Sequence, residues 1–215
     1  MIEFKENDHS YWHGGRQLPS VNQILRELEV YSYTDIDPWY AERGTAVHKA
    51  TELWDQGNLN PLTLDDQIAG YLDAWKRFTM DIKTKEWKRF TTERTSDNKT
   101  RVVGTDWEHI NFVAIEQIVH HERLGYAGTV DRVCVAEDSN SSRAFVLDIK
   151  TSRQKSKWHA LQVDGYMKAL GLEGKGAVVY LRADGEYKLD MLGGVDVNFE
   201  SFAEVYNWKQ SSKRK

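Results

Sequence analysis

The sequence predicts an α/β fold: a mixed central β-sheet flanked by α-helices. Three observations carry this expectation. Apolar residues recur at helical spacing in three segments before residue 90, and runs rich in β-branched and aromatic residues then dominate up to residue 183. A helical pattern over residues 155 to 171 interrupts those runs, so sheet and helix are interleaved along the chain.

The first element read in order is a small hairpin in HSYWHGGRQLPSV, turning at Gly14 and Gly15, where glycine supplies the positive φ that tight turns require. Ser20 with Gln23 three positions on makes a capping-box pattern, after which Val21, Ile24, Leu25 and Leu28 recur as one helix face. A second helix runs from Trp39 to about Gln56 with Trp39, Val47, Ala50, Leu53 and Trp54 on one side, closed by Gly57 and Asn58. The longest helical pattern covers residues 65 to 90, with Ile68, Leu72, Trp75, Phe78 and Ile82 inward. Lys76, Arg77, Lys83, Lys85, Lys88 and Arg89 lie mostly elsewhere on it, as a solvated face or a basic track. Strands are expected at 90–96, 101–105, 110–119, 129–136, 144–150 and 176–183. A last helix from about Asn198 should bury Phe199, Phe202, Val205 and Tyr206 before a frayed SSKRK tail.

The 215 residues, 40% hydrophobic and 29% charged, suffice for one good-sized core, so residues 1–215 are read as a single domain. Residues 1–37 form its N-terminal hairpin and helix, and residues 198–215 its C-terminal helix and basic tail. No apolar run approaches the roughly 18 residues of a membrane span, and the N-terminal residues lack a signal-peptide layout; the expectation is a cytoplasmic protein. The single cysteine, Cys134, rules out an intramolecular disulfide, a thiolate zinc cage and a four-cysteine iron–sulfur cluster. A net charge of −4 argues against electrostatic coating of nucleic acid, so any polyanion contact must be local.

The most informative stretch is FVLDIKTS, residues 145–152, where Asp148 and Lys150 stand in an apolar strand pattern. The preceding polar cluster at 138–141 predicts a hairpin between VDRVCVAE and RAFVLDIK. Pairing symmetric about Ser139 and Asn140 puts Asp131 opposite Asp148 and Thr129 opposite Lys150, in a hairpin covered on both faces. Two carboxylates about 5 Å apart repel by about 3 kcal/mol at an effective dielectric near 20. Either one stays protonated, or a divalent cation lies between them; Lys150 on the same face favours ionised carboxylates and the cation. An Asp–Lys ion pair that satisfies itself is the remaining alternative.

GTVDRV, VLDIKTS and QVDGY resemble the core motifs of the PD-(D/E)XK nuclease superfamily, in its RecB-like, lambda-exonuclease-like branch. That branch reads, in order, a helical histidine, a glutamate, glycine-x-x-aspartate, aspartate-x-lysine and glutamine-x-x-x-tyrosine. The matching residues are His48 in RGTAVHKATE, Glu116 in FVAIEQIV, Asp131, Asp148 with Lys150, and Gln162 with Tyr166, spanning residues 44–166. The first acidic residue follows valine rather than the proline of the superfamily's name.

The resemblance implies a restriction-endonuclease-like core and a small stand-alone phage-type exonuclease without an iron–sulfur cluster, hydrolysing phosphodiester bonds in phage or bacterial DNA recombination, repair or degradation. A structure-specific or nonspecific endonuclease is the enzymatic alternative, and an inactive nucleic-acid-binding or inhibitor protein the other. Asp131 and Asp148 would hold one or two Mg²⁺ or Mn²⁺ ions, with the Ile149 backbone carbonyl as a further contact and His48 as a nitrogen ligand. Glu116 completes that shell, with Glu122 in HHERLGY as its rival; a merely satisfied histidine is the competing reading of His48. His120 and His121 are read as strand-end residues pointing to opposite faces. Lys150 would position the attacking water and steady phosphate charge, since neighbouring carboxylates raise a lysine's pKa. Gln162 and Tyr166, four apart on a helix, would orient the lysine or a phosphate, or simply pack. Arg153, Lys155 and Lys157 could receive the backbone of DNA that is single-stranded or has free ends, with Trp158 and Tyr126 as stacking platforms. A ring-forming relative implies that homo-oligomers are open to this chain.

Overall fold

The computed structural model describes residues 1–31, 37–83, 91–94, 100–103, 109–137, 142–192 and 198–213. A three-stranded antiparallel sheet opens the chain: β1 (Ile2–Lys5), β2 (Ser10–His13) and β3 (Arg16–Leu18). Gly14 and Gly15 turn β2 into β3 with φ of +56° and +77°, as the hairpin reading requires, while β1 is a strand that reading lacked. Ser20 caps α1 (Val21–Glu27) by accepting the Gln23 N–H at 3.0 Å. The Gln23 side chain reaches forward to Glu27 at 2.9 Å, so one half of the capping box forms.

In α2 (Pro38–Asp55) the buried stripe is Val47, Ala50 and Thr51. Trp54, expected inward, is 41% exposed, and the Lys76 ammonium covers its ring at 4.7 Å. α3 (Asp66–Lys83) buries the predicted Ile68, Leu72, Trp75, Phe78 and Ile82. Lys85, Lys88 and Arg89 lie outside the described residues.

The strand-rich half splits in two. Among the described residues, β4 (Thr91–Arg94) and β5 (Thr100–Val103) pair only with each other. The central sheet has the order β10-β9-β8-β7-β6, from β6 (His109–His121), β7 (Tyr126–Glu137), β8 (Ser142–Lys150), β9 (Gly176–Leu181) and β10 (Tyr187–Leu192). Its mixed character comes from one parallel pair, β8 with β9, joined through α4 (Lys157–Ala169). The edge strand β10 escaped the sequence reading: YKLDML is half-buried and mixes Lys and Asp with apolar residues, unlike the fully buried GAVVYL beside it.

Residues 145–149 of β8 and all of β9 are buried, so both faces of the sheet centre are covered. α3 packs against β6, β9 and β10, and α4 against β6 through β9. The register of β7 with β8, Arg132↔Leu147 through Glu137↔Ser142, is the one the symmetric hairpin predicts; the turn at 138–141 lies outside the described residues.

α5 (Phe199–Ser212), capped by Asn198, buries Phe199, Ala203 and Tyr206. Val205 is 52% exposed because it falls off that stripe, and the helix continues through Ser212 into the tail expected to fray. Among the described residues no helix is long and apolar enough to cross a membrane.

The α4–β9 contact buries one titratable pair. His159 is 3% exposed, its Nδ1 lies 2.9 Å from the Tyr180 hydroxyl, and burial, with the Lys150 charge adding, pushes its pKa down to about 3. The unfolded chain therefore takes up a proton near the ordinary value of 6.5 that the folded chain refuses. The stability this provides is complete above about pH 6.5 and is lost as pH falls towards 3. Thermal melts between pH 7 and pH 5 should fall more steeply for the native chain than for His159→Gln.

Candidate active site

One cavity of about 1000 Å³ gathers most of the sequence-predicted residues: His48 from α2, Glu116 from β6, Asp131 from β7, Asp148 and Lys150 from β8, and Gln162 and Tyr166 from α4. Its other walls come from the N-terminal sheet and α1, including Phe4, Tyr11, Gln17 and Arg26. That sheet is fastened beside the site. The Tyr11 and Thr129 hydroxyls are 2.9 Å apart, the Ala127 N–H donates to the Pro19 carbonyl at 3.0 Å, and Tyr11, Leu18 and Ala127 form a small core of their own.

The two expected aspartates do not confront each other as bare charges. The β7–β8 ladder ends at Arg132↔Leu147, and Asp131 Oδ2 accepts the Ile149 N–H at 2.6 Å while its Oδ1 lies 3.2 Å from His48 Nδ1. Asp148 instead pairs with Lys150 Nζ at 2.7 Å, the ion pair that the sequence reading held as its alternative.

The electrostatics follow from these partners. Burial raises the Asp131 pKa, but His48, Lys150 and the Ile149 amide outweigh it and hold the carboxyl below its usual range. Burial pushes Asp148 up to about 6, with Asp131 adding and Lys150 opposing. Glu116 is pushed up to about 7 by burial first and the Asp131 charge second. Burial lowers the His48 pKa, yet the charge and hydrogen bond of Asp131 more than offset it, leaving the imidazole above its ordinary value.

Among the described residues, ligand atoms of His48, Glu116 and Asp131 all lie within 4.8 Å of one another. One nitrogen and two carboxylates form a donor set that fits a divalent transition-type cation. Three of the expected ligands, His48, Glu116 and Asp131, thus come together, while Asp148 lies outside this group beside Lys150. A second open valence lies at hand: Gln162 donates from Nε2 to the Tyr166 hydroxyl at 3.1 Å, but its buried Oε1 has no partner among the described residues.

Glu116 reaches the group by leaving ideal strand geometry. Its φ is +48°, between the ladder pairs Ile115↔Arg132 and Gln117↔Val130, and a register shift at Phe112/Ala114 precedes it. Glu122 is exposed in the β6–β7 turn and takes no part.

Arg132 is a site neighbour that the sequence reading missed. It is fully buried and touches Glu116 Oε1 at 3.3 Å and Asp55 Oδ2 at 2.8 Å. An arginine directly after Asp131, on the apolar side of a strand buried on both faces, was the available signal.

Of the side chains expected to meet nucleic acid, Gln162 and Tyr166 line the cavity and the others lie beyond it. Arg153, Lys155 and Lys157 are exposed but do not line the cavity, and Lys155 is ion-paired with Asp190. Tyr126 is fully buried and donates its hydroxyl to the Gly165 carbonyl at 2.9 Å, so it cannot receive a base. Trp158 stacks on Tyr31 at 4.3 Å with Lys150 Nζ 5.6 Å from its ring. On α3, Lys76 pairs with Asp73 at 3.2 Å and Arg77 with Glu186. His120 lies against His13 and His121 near Glu200, on opposite sides as expected for strand neighbours.

Sheet, helices and converging ligand atoms together describe a mixed α/β architecture with a candidate divalent-cation site at its sheet. The model of the PD-(D/E)XK nuclease superfamily matches residues 21–213, and the chain belongs to that superfamily, whose members are metal-dependent nucleases. No curated protein matches the chain. A solved structure, of the protein SSO0001, is 14% identical over 87% of this chain and 81% of that one, with a TM-score of 0.31.

The glycine of GTVD has a steric cause. A Cβ on Gly128 would sit 2.6 Å from Tyr166 Cε1, and Tyr166 is 5% exposed with little room to withdraw. Gly128→Ala should cost about 1–3 kcal/mol in denaturant titrations, the range for overpacking a core.

Proposed function

We propose that the protein is a Mg²⁺- or Mn²⁺-dependent DNA exonuclease of the RecB-like, lambda-exonuclease-like branch, acting in cytoplasmic DNA recombination, repair or degradation. The observation that carries this reading is the convergence of His48, Glu116 and Asp131 within 4.8 Å, beside a Lys150 held at 2.7 Å by Asp148. The motif order from His48 to Tyr166 supports the branch. The walled cavity supports attack at a strand end. About 1000 Å³ is the upper range of small-ligand pockets, space for the first nucleotides of a strand rather than a groove across a duplex.

In this reading His48, Glu116 and Asp131 hold the cation, with the Ile149 carbonyl as a further oxygen. A cation held by these residues would supply Lewis-acid polarisation of the phosphoryl oxygen. Asp131 is kept ionised by His48 and the Ile149 amide, so it enters the site already oriented. Asp148 anchors the end of Lys150, which sets the attacking water in line and steadies charge on the phosphate. Gln162 keeps its buried Oε1, without a partner among the described residues, as an acceptor for that water, and the Tyr166 hydroxyl fixes the amide by accepting from its Nε2. Arg153 and Lys157, exposed after β8, receive the backbone beyond the cavity.

The test is incubation with end-labelled linear and closed circular DNA, single- and double-stranded, with Mg²⁺ or Mn²⁺. Loss of linear forms alone is expected, slowed at least about 100-fold by Lys150→Ala. Nicked circles would replace the exonuclease reading by an endonuclease, and equal turnover by Lys150→Ala would remove Lys150 from the mechanism.

A further inference from the structure

Arg132 carries a full charge at 0% exposure, a placement that needs a purpose, since apolar residues of similar volume usually serve stability as well. Its guanidinium is fixed by three partners: Nε donates to Asp55 Oδ2 at 2.8 Å, one terminal nitrogen to the Thr51 hydroxyl at 3.3 Å, and the other to the Asp131 carbonyl at 2.5 Å. The Trp75 ring lies 5.1 Å away, and Trp75 in turn donates to Asp55 Oδ1 at 2.9 Å. The nitrogen on the Asp131 carbonyl also reaches Glu116 Oε1 at 3.3 Å.

The arrangement is a buttress. α2 supplies Asp55 and Thr51, α3 supplies Trp75, and the one contact directed out of the core goes to Glu116, whose φ of +48° is a conformation that side-chain-bearing residues hold only when their surroundings enforce it. The Asp131 carbonyl on the same nitrogen couples the two acidic residues of the ligand group.

We propose that Arg132 is a positioning residue: by gripping Glu116 from the protein interior it holds that carboxylate beside His48 and Asp131 and thereby sets the protein's affinity for a divalent cation. This rests on the reading in which Glu116 is a cation ligand. Partners behind a ligand commonly control metal affinity by 10–100-fold, and that is the size expected here.

Calorimetric titration of the metal-free full chain with Mn²⁺ tests it without recourse to activity. Glu116→Gln, Arg132→Lys and the double variant are compared with the native chain, and thermal melts followed by circular dichroism report folding. Arg132→Lys, which keeps a cation beside Asp55, should weaken Mn²⁺ binding about 10–100-fold. In the double variant the loss should be no greater than in Glu116→Gln alone, because the arginine acts through the glutamate. Should Arg132→Lys not fold, Asp55→Asn loosens the same guanidinium while leaving Trp75 an acceptor, and the same dependence on Glu116 is expected. Mn²⁺ affinity within twofold of native in the folded variant, tighter binding, or losses that add in full to Glu116→Gln would overturn the proposal. Native-like Mn²⁺ binding by Glu116→Gln would instead remove Glu116 from the ligand group, a separate failure of the underlying reading.

Discussion

The buried Asp131 carboxylate is the constraint around which the site is arranged. A carboxylate desolvated within a strand must be compensated by charge or hydrogen bonds, and Asp131 has both: the Ile149 amide on one oxygen and His48 on the other. Because the amide comes from β8 and the imidazole from α2, satisfying one side chain ties a strand and a helix to β7 at a single point. Asp148 solves the same problem differently, by closing on Lys150 from its own strand. The two acids thus sit at neighbouring positions with different partners and opposite displacements of pKa, which gives the site one ready anion and one that is easily neutralised.

The rest of the fold keeps this arrangement rigid and partly enclosed. The parallel β8–β9 pair and its crossover bring α4 over the sheet, so Gln162 and Tyr166 face the strand ends, and Gly128 leaves the space that Tyr166 fills. On the far side of Asp131 the arginine next in sequence is sunk among Asp55, Thr51 and Trp75. Consecutive residues of one strand thereby serve the cavity and the core, a direct use of strand alternation. The N-terminal sheet, pinned through Tyr11 and Thr129, turns an open strand edge into a walled cavity.

Much of this was legible in the sequence because it depended on local rules. Helix periodicity placed α1, α2, α3 and α5, and the polar turn at 138–141 set the β7–β8 register correctly without any long-range information. The ordered motifs selected His48, Glu116, Asp131, Asp148, Lys150, Gln162 and Tyr166, all of which line one cavity. What stayed hidden is non-local. Nothing in FVAIEQIV announces the positive φ at Glu116, which sits between the ladder pairs Ile115↔Arg132 and Gln117↔Val130, past the register shift at Phe112/Ala114. The hairpin register was legible, but the partner each aspartate takes was not, because Asp131 finds the Ile149 amide and His48 while Asp148 closes on Lys150. Arg132 was missed and Tyr126 read as a stacking platform for the same reason: burial of a polar or aromatic residue is decided by helices distant in sequence.

The central claim is that His48, Glu116 and Asp131 form one cation-binding group, with Asp148 reserved for Lys150. Anomalous diffraction from crystals grown with Mn²⁺ tests this directly. The account predicts a peak bonded to the imidazole and to both carboxylates, with the Asp148–Lys150 pair intact. A peak bridging Asp131 and Asp148 while His48 and Glu116 point elsewhere would contradict it.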